Sequence, residues 1–401
     1  MKTLFRYSPW LMVVSTILLT GCPGGENGSI LTIPGFQSPS KKATPTPAPG
    51  PSTPVSTKTP TPGPNPSSGN TPSPGPSSLY PTPVPPPFGS VTIDLGGQHN
   101  AWGVSEPMST LRAGLIAWVR NGKIYAADGD GYSTIEERNG DSWSAKQYSL
   151  ECRYFSAVAL IGGKVYQASG FDGDGYYPRV LEYDPQNGKL DPKAELPTVP
   201  GVRDPVGGGD VQGRSHAGSG VLQFGGSDQL CLAGGMAGGK VLDQFISYLP
   251  GNPSWDILPK LPAPRTAMGA ATLNNRLYLF GGYASSGQPL ASMVLYDPSL
   301  GQWSSTTPNG AALPSLKKAR HSLMGIALNG KIYAIGGADG ANKVLREVEE
   351  YDPTTNTWRN LSSIPTARAL GAVVALDNKI FALGGFDDGG RPLRTVEVFY
   401  P

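Results

Sequence analysis

Six arginines each precede the end of an apolar run at a nearly fixed distance, and that spacing constrains the fold more than any other feature of the chain. Arg112, Arg153, Arg265, Arg320 and Arg368 stand sixteen residues before Asp128, Ser169, Gly281, Gly336 and Gly384. Arg214 stands twenty residues before Gly234, so that copy carries a short insertion. In four of the six copies the run ends in Gly-Gly. A unit repeated roughly every fifty residues cannot bury its apolar faces alone, so neighbouring copies bury one another's and the array closes into a ring or stacks into a solenoid.

Each copy reads as four short strands. The apolar run, Lys331-Ile332-Tyr333-Ala334-Ile335 in the fifth copy, is a strand entering a Gly turn. A second apolar stretch precedes it, joined through hairpin turns such as Asn121-Gly122 and Asn329-Gly330. A third strand ends in Tyr-Asp-Pro at Tyr183, Tyr296 and Tyr351. Seven residues after the strand-end aromatic comes a Trp, at Trp255, Trp303 and Trp358, while Leu190 fills that slot after Tyr183. Four antiparallel strands per unit make the blade of a β-propeller.

These marks resemble kelch repeats over about residues 98–401, closely in the three C-terminal copies and less so in the first, where Ala126-Ala127-Asp128-Gly129 replaces the Gly-Gly strand end. The resemblance implies an all-β, six-bladed kelch propeller. The last copy stops at Phe399-Tyr400-Pro401, where its fourth strand should begin. Asn100-Ala101-Trp102 is an orphan fourth strand, and Trp102 precedes Arg112 by ten residues, as Trp143 precedes Arg153 and Trp358 precedes Arg368. The N-terminal strand is therefore expected to complete the final blade and remove the free sheet edges.

Ahead of the repeats lie two other zones. Residues 1–21 carry Lys2 and Arg6 and an apolar core from Trp10 to Leu19, too short to span a bilayer and suited to a signal peptide. The core ends in Leu19-Thr20-Gly21-Cys22, which resembles the lipobox of bacterial lipoproteins. That resemblance implies cleavage before Cys22, lipid on its sulfur and membrane anchoring to the cell envelope. Pro23 stands where the inner-membrane retention signal has Asp, which points to the outer membrane or cell surface. Residues 22–88 are rich in Pro, Thr and Ser and cannot bury enough surface to fold. They read as a disordered linker or stalk, up to ~200 Å long at ~3.1 Å per residue. The propeller occupies 89–401.

Formal net charge is +2, with no basic run, so nucleic acid is not expected as a partner. With Cys22 taken by lipid, Cys152 and Cys231 remain; they could form one disulfide, or Cys231 could be a buried free thiol in the slot held by Tyr333. His99, His216 and His321 fall in different blades without metal-ligand spacing, so neither metal nor cofactor is expected. Asp128-Gly-Asp130-Gly and Asp172-Gly-Asp174-Gly lack the later carboxylate of a calcium loop and read as turns. Two insertions, 191–213 and 307–318, join blade to blade and are expected on the face around the channel.

The six arginines would ring the channel mouth on that face. Guanidinium forks recognise carboxylates, so the ring is a candidate site for an acidic peptide or acidic sugar; bonding to carbonyls of the blades themselves is the competing role. The function read from these features is non-catalytic binding of a protein or carbohydrate by a monomeric envelope lipoprotein. The alternative is a carbohydrate-active enzyme resembling the six-bladed kelch epimerases and mutarotases, with Glu151 beside Arg153 as the nearest candidate acid.

Overall fold

The computed structural model describes residues 99–401 except 130–133, 149–150, 173–174 and 204–209, together with the backbone of two short paired strands, Val14–Ile17 and Leu31–Pro34. Cys22 and most of the signal and stalk segments lie outside the described residues.

From 101 onward every regular element is a strand, and six four-stranded antiparallel sheets follow one another. Their inner strands are Ile116–Arg120, Ala157–Ile161, Gly218–Phe224, Gly269–Leu273, Met324–Leu328 and Ala372–Leu376. Each inner strand packs beside the next, and the sixth beside the first, so the six blades, I to VI in that order, close around an axis. In four blades the second strand (Lys164–Ala168, Arg276–Phe280, Lys331–Ile335 and Lys379–Leu383) is buried at every position after the first. Blades cover both of their faces, which is why these strands read as unbroken apolar runs. The core is inter-blade: Phe280 of blade IV packs with Ile332 and Trp358 of blade V.

The closure expected from Trp102 is present. Ala101–Ser105 pairs antiparallel with Val396–Tyr400, setting Trp102 opposite Phe399. Trp102 Nε1 donates to Ser362 O of the preceding blade at 2.8 Å, as Trp143, Trp303 and Trp358 donate to Glu106, Pro259 and Pro314. In four of the six blades an indole thus ties an outer strand to its neighbour; blade II has Leu190 in that slot, and Trp255 Nε1 of blade III makes no such bond.

The long insertion is not a loop throughout. Lys189–Glu195 is the outer strand of blade II, so residues 191–195 belong to the blade. The rest forms a hairpin arm, Thr198–Arg203 against Asp210–Gln212. Its Val199, Val202 and Val211 pack on Ala237 and Leu242 of blade III and on Tyr176 of blade II. Cys231 is a free, fully buried thiol that burial pushes up to about 12, so it does not pair with Cys152.

Candidate functional site

Two residues past each arginine the backbone turns left-handed: Gly114, Phe155, His216, Ala267, Ser322 and Leu370 have φ between 52° and 67°. Five of these are not glycine, and each costs of order 1 kcal/mol or more in a conformation that clashes with Cβ. The structure repays that strain with a ring of hydrogen bonds. Phe155 N–H donates to Gly114 O, His216 to Phe155, Ala267 to His216, Ser322 to Ala267, Leu370 to Ser322, and Gly114 back to Leu370, at 2.6–3.3 Å. The six links form a closed hoop around the axis, one residue from each blade.

A second set of links lies beside the hoop. The amide after each strand end (Gly129, Gly170, Gly235, Gly282, Gly337, Gly385) donates to the carbonyl of the next blade's arginine at 2.8–3.2 Å. This close approach explains the first glycine of the pair. A Cβ on Gly281 would sit 2.6 Å from Arg320 O, and one on Gly384 would sit 2.5 Å from Arg112 O.

The arginine side chains turn into the blades. Arg112, Arg153, Arg214, Arg320 and Arg368 are completely buried and Arg265 is 5% exposed. Arg112, Arg153, Arg214, Arg265 and Arg368 donate through Nη1 to the carbonyls of Asp128, Ser169, Gly234, Gly281 and Gly384 at 2.7–3.1 Å. Arg320 instead reaches Glu347 O and Ala334 O. The expectation that all six guanidiniums ring an open mouth is corrected: all six are buried, and five of them satisfy the carbonyls at their own strand ends. The competing role, bonding within the scaffold, accounts for their register.

They fall into two groups of three. In blades I, V and VI the arginine meets a buried glutamate on the third strand: Arg112–Glu136 at 3.0 Å, Arg320–Glu349 at 3.1 Å and Arg368–Glu397 at 2.7 Å. Burial alone would raise Glu136, but donors from Thr110, Arg112 and Ser109 outweigh it and hold the carboxyl below its ordinary range. In blades II, III and IV the same register holds Leu181, Ile246 and Val294. There Arg153 turns to Glu151 at 2.5 Å and lies 4.1 Å from the Tyr177 ring, Arg214 bonds Gln244, and Arg265 bonds Ser292 Oγ at 2.8 Å. Burial without a carboxylate pulls Arg214 and Arg265 down to about 10.

Around the hoop the side chains are unlike from blade to blade. Tyr154, Phe155, Ala338, Val344, Ala369 and Phe386 form an apolar cluster over blades V, VI, I and II. Phe155 covers Gly114 closely enough that a Cβ there would sit 2.5 Å from its Cε1. Blades III to V present polar groups instead. His216 stacks on Phe155 at 3.8 Å and meets Ser215 Oγ through Nδ1 at 2.9 Å. His321 stacks on Tyr283 at 3.9 Å, meets its hydroxyl through Nε2 at 2.8 Å, and meets Ser322 through Nδ1. Burial pushes His216 down to about 3 and His321 to about 4, so both imidazoles are neutral at pH 7.

These rings and loops can be set beside known proteins. A family model described as the KLHDC2/KLHL20/DRC7 Kelch-repeats domain matches residues 203–385. Kelch-like protein 23 of Mus musculus is 25% identical over 228 residues, which span 56% of this chain and 35% of that protein. Kelch-like protein terF of Aspergillus terreus is 24% identical over 279 residues, 65% of this chain and 54% of that one. The chain is a kelch-repeat β-propeller. A solved structure titled "Structure of YjhT" shares the fold, with TM-score 0.60 and 12% identity over 73% of this chain and 95% of that one. The match spans little more than a third of the mouse kelch-like protein.

Within the kelch frame, the residues clustered at the hoop are one and two places beyond the arginine and one place beyond the strand-end glycines, and most of them are buried. Sequence reading missed Phe155, His216, His321 and Tyr283 because each copy puts a different residue there. The usable signal was the fixed offset from the arginine. Of the two Asp turns, Asp172 accepts from Gly175 N as a turn residue, and Asp339 and Asp387 accept likewise from Ala341 N and Gly389 N, whereas the carboxylate of Asp128 is buried and bonds Ser156 and Gln167.

Proposed function

We propose that this kelch propeller is a non-catalytic binding module whose ligand, a protein or a carbohydrate, docks on the hooped face. The observation that carries the reading is the contrast between frame and surface. Arginine and hoop bond recur in every blade, while the residues they hold at the hoop are Gly114, Phe155, His216, Ala267, Ser322 and Leu370, of which His216, Ala267 and Leu370 are partly exposed. A rigid frame presenting dissimilar side chains suits recognition, because preorganised groups lose little entropy on binding. The polar arc over blades III to V, where His216 and Tyr283 are partly exposed, would take a hydrogen-bonding or anionic group of the ligand. The un-neutralised Arg214 and Arg265 under the polar arc favour a negative group.

The arrangement considered for sugar epimerisation, Glu151 with Arg153, is an ion pair whose arginine is fully buried and already bonded to Ser169 O and Arg179 O. Nothing around it favours the enzyme reading over binding.

The reading includes display from a bacterial envelope by lipid on Cys22 and the Pro-rich stalk. Cys22→Ser is expected to move the protein from the membrane fraction to the soluble fraction; unchanged membrane association would refute the lipid anchor. For the face, a panel of acidic peptides and of neutral and acidic sugars is titrated against the full chain. His216→Ala is expected to weaken any binding at least about tenfold with little change in melting temperature, whereas Phe155→Ala, which empties a buried site, is expected to weaken binding and lower the melting temperature together. Binding that survives both variants would place the ligand elsewhere.

A further inference from the structure

The seam between blades I and II differs from the others at three positions at once. The first-glycine slot, filled by Gly234, Gly281, Gly336 and Gly384 in blades III to VI, holds Asp128 in blade I with φ 63°. The position three past the arginine, elsewhere Leu115, Ala217, Met268, Leu323 or Gly371, is Ser156 in blade II. The fourth position of the second strand, elsewhere Ala126, Leu232, Leu279, Ala334 or Ala382, is Gln167. Any one of these alone would bury an unsatisfied polar group. Together they bond: Ser156 Oγ donates to Asp128 Oδ2 at 2.7 Å and Gln167 Nε2 donates to the same oxygen at 2.6 Å. Asp128 and Gln167 are wholly buried, and Asp128 Oδ1 and Gln167 Oε1 are left without partners.

We propose that Asp128, Ser156 and Gln167 form a proton-operated latch that joins blade I to blade II. In the ionised state Asp128 accepts from both neighbours, which is the arrangement observed. On taking a proton the carboxyl becomes a donor. A half-turn of the Gln167 amide then offers it Oε1, and the half-buried Ser156 hydroxyl is released. The latch therefore has two bonding patterns selected by one proton.

The groups that face the carboxyl define its balance. Arg112 of blade I and Arg153 of blade II favour the ion, but each already holds its own acid, Glu136 and Glu151. Ser156 and Gln167 also favour the ion, and burial opposes all four. Burial prevails and raises the carboxyl from 3.8 to about 7. Because the folded state holds the proton more tightly than the unfolded chain, the stability conferred by the neutral latch is complete below about pH 4. It falls as pH rises towards about 7 and is flat beyond.

Amide hydrogen exchange on the full chain reads the seam directly. Gly129 N–H bonds Arg153 O and Phe155 N–H bonds Gly114 O across blades I and II, while Gly337 and Leu370 make the same bonds across blades V and VI. Between pH 5.5 and 8, after correction for intrinsic exchange, protection of the first pair relative to the second is expected to fall about tenfold or more. Asp128→Asn should fold, since Asn accepts positive φ, and should abolish the fall. Gln167→Leu, copying Leu232 and Leu279, should move its midpoint to higher pH. A ratio that is constant in the natural chain, a fall that persists in Asp128→Asn, or a midpoint unmoved by Gln167→Leu would each overturn the latch.

Discussion

Arg368→Ala is expected to destabilise the propeller by about 3–5 kcal/mol, because it leaves Glu397 buried without its cation. Glu397 is 2% exposed and receives Arg368 Nη2 at 2.7 Å, with Thr366 Oγ1 as a further donor. The same change strips donors from the Gly384 and Thr395 carbonyls. Val294 occupies the glutamate register in blade IV, so an apolar residue packs there. Arg368→Met combined with Glu397→Val should therefore recover a substantial part of the loss. Urea unfolding at pH 7 measures all three proteins. A single variant that loses less than about 1 kcal/mol would show that the pair is not a principal support of the ring.

Gly281→Ala should be nearly as damaging although it adds one methyl group. The residue has φ 63°, and its Cβ would meet Arg320 O at 2.6 Å and Leu323 Cδ2 at 3.0 Å. Strain in the left-handed region and overpacking against backbone add to about 3 kcal/mol or more. Gly287→Ala also has positive φ, at 75°, but nothing within 4 Å, so it should cost about 1 kcal/mol. Equal melting temperatures for the two variants would refute the explanation of the strand-end glycine given above. Nature supplies a partial control in blade II, where Ser169 fills the slot at φ 65° and bonds the backbone of Arg214 through its hydroxyl.

The ring was legible in the sequence because its determinants repeat. Trp102 to Arg112 has the spacing of Trp143 to Arg153, and that equality alone located the closing strand. The arginine ring was located in sequence but its direction was not. Whether a guanidinium points to solvent or into its own blade depends on the carbonyls at Asp128, Ser169 and their counterparts, and spacing does not reveal a carbonyl's partner. The face residues were harder still, since a hoop held by backbone bonds leaves its side chains free of any pattern. Glu136, Glu349 and Glu397 could have been matched to Arg112, Arg320 and Arg368 by noting that only those three copies carry Glu in that register.

The hoop also bears on how such a ring can be cut and rejoined. Every link in it runs between blades through backbone atoms, and none depends on which blade comes first in the chain. Opening the backbone at an outer turn, such as Gly188 or Leu300, and tying the original ends together would change the chain order while leaving all six links in place. Such rearranged chains should reach the same ring. A chain lacking one whole blade would have to draw the circle tighter with five.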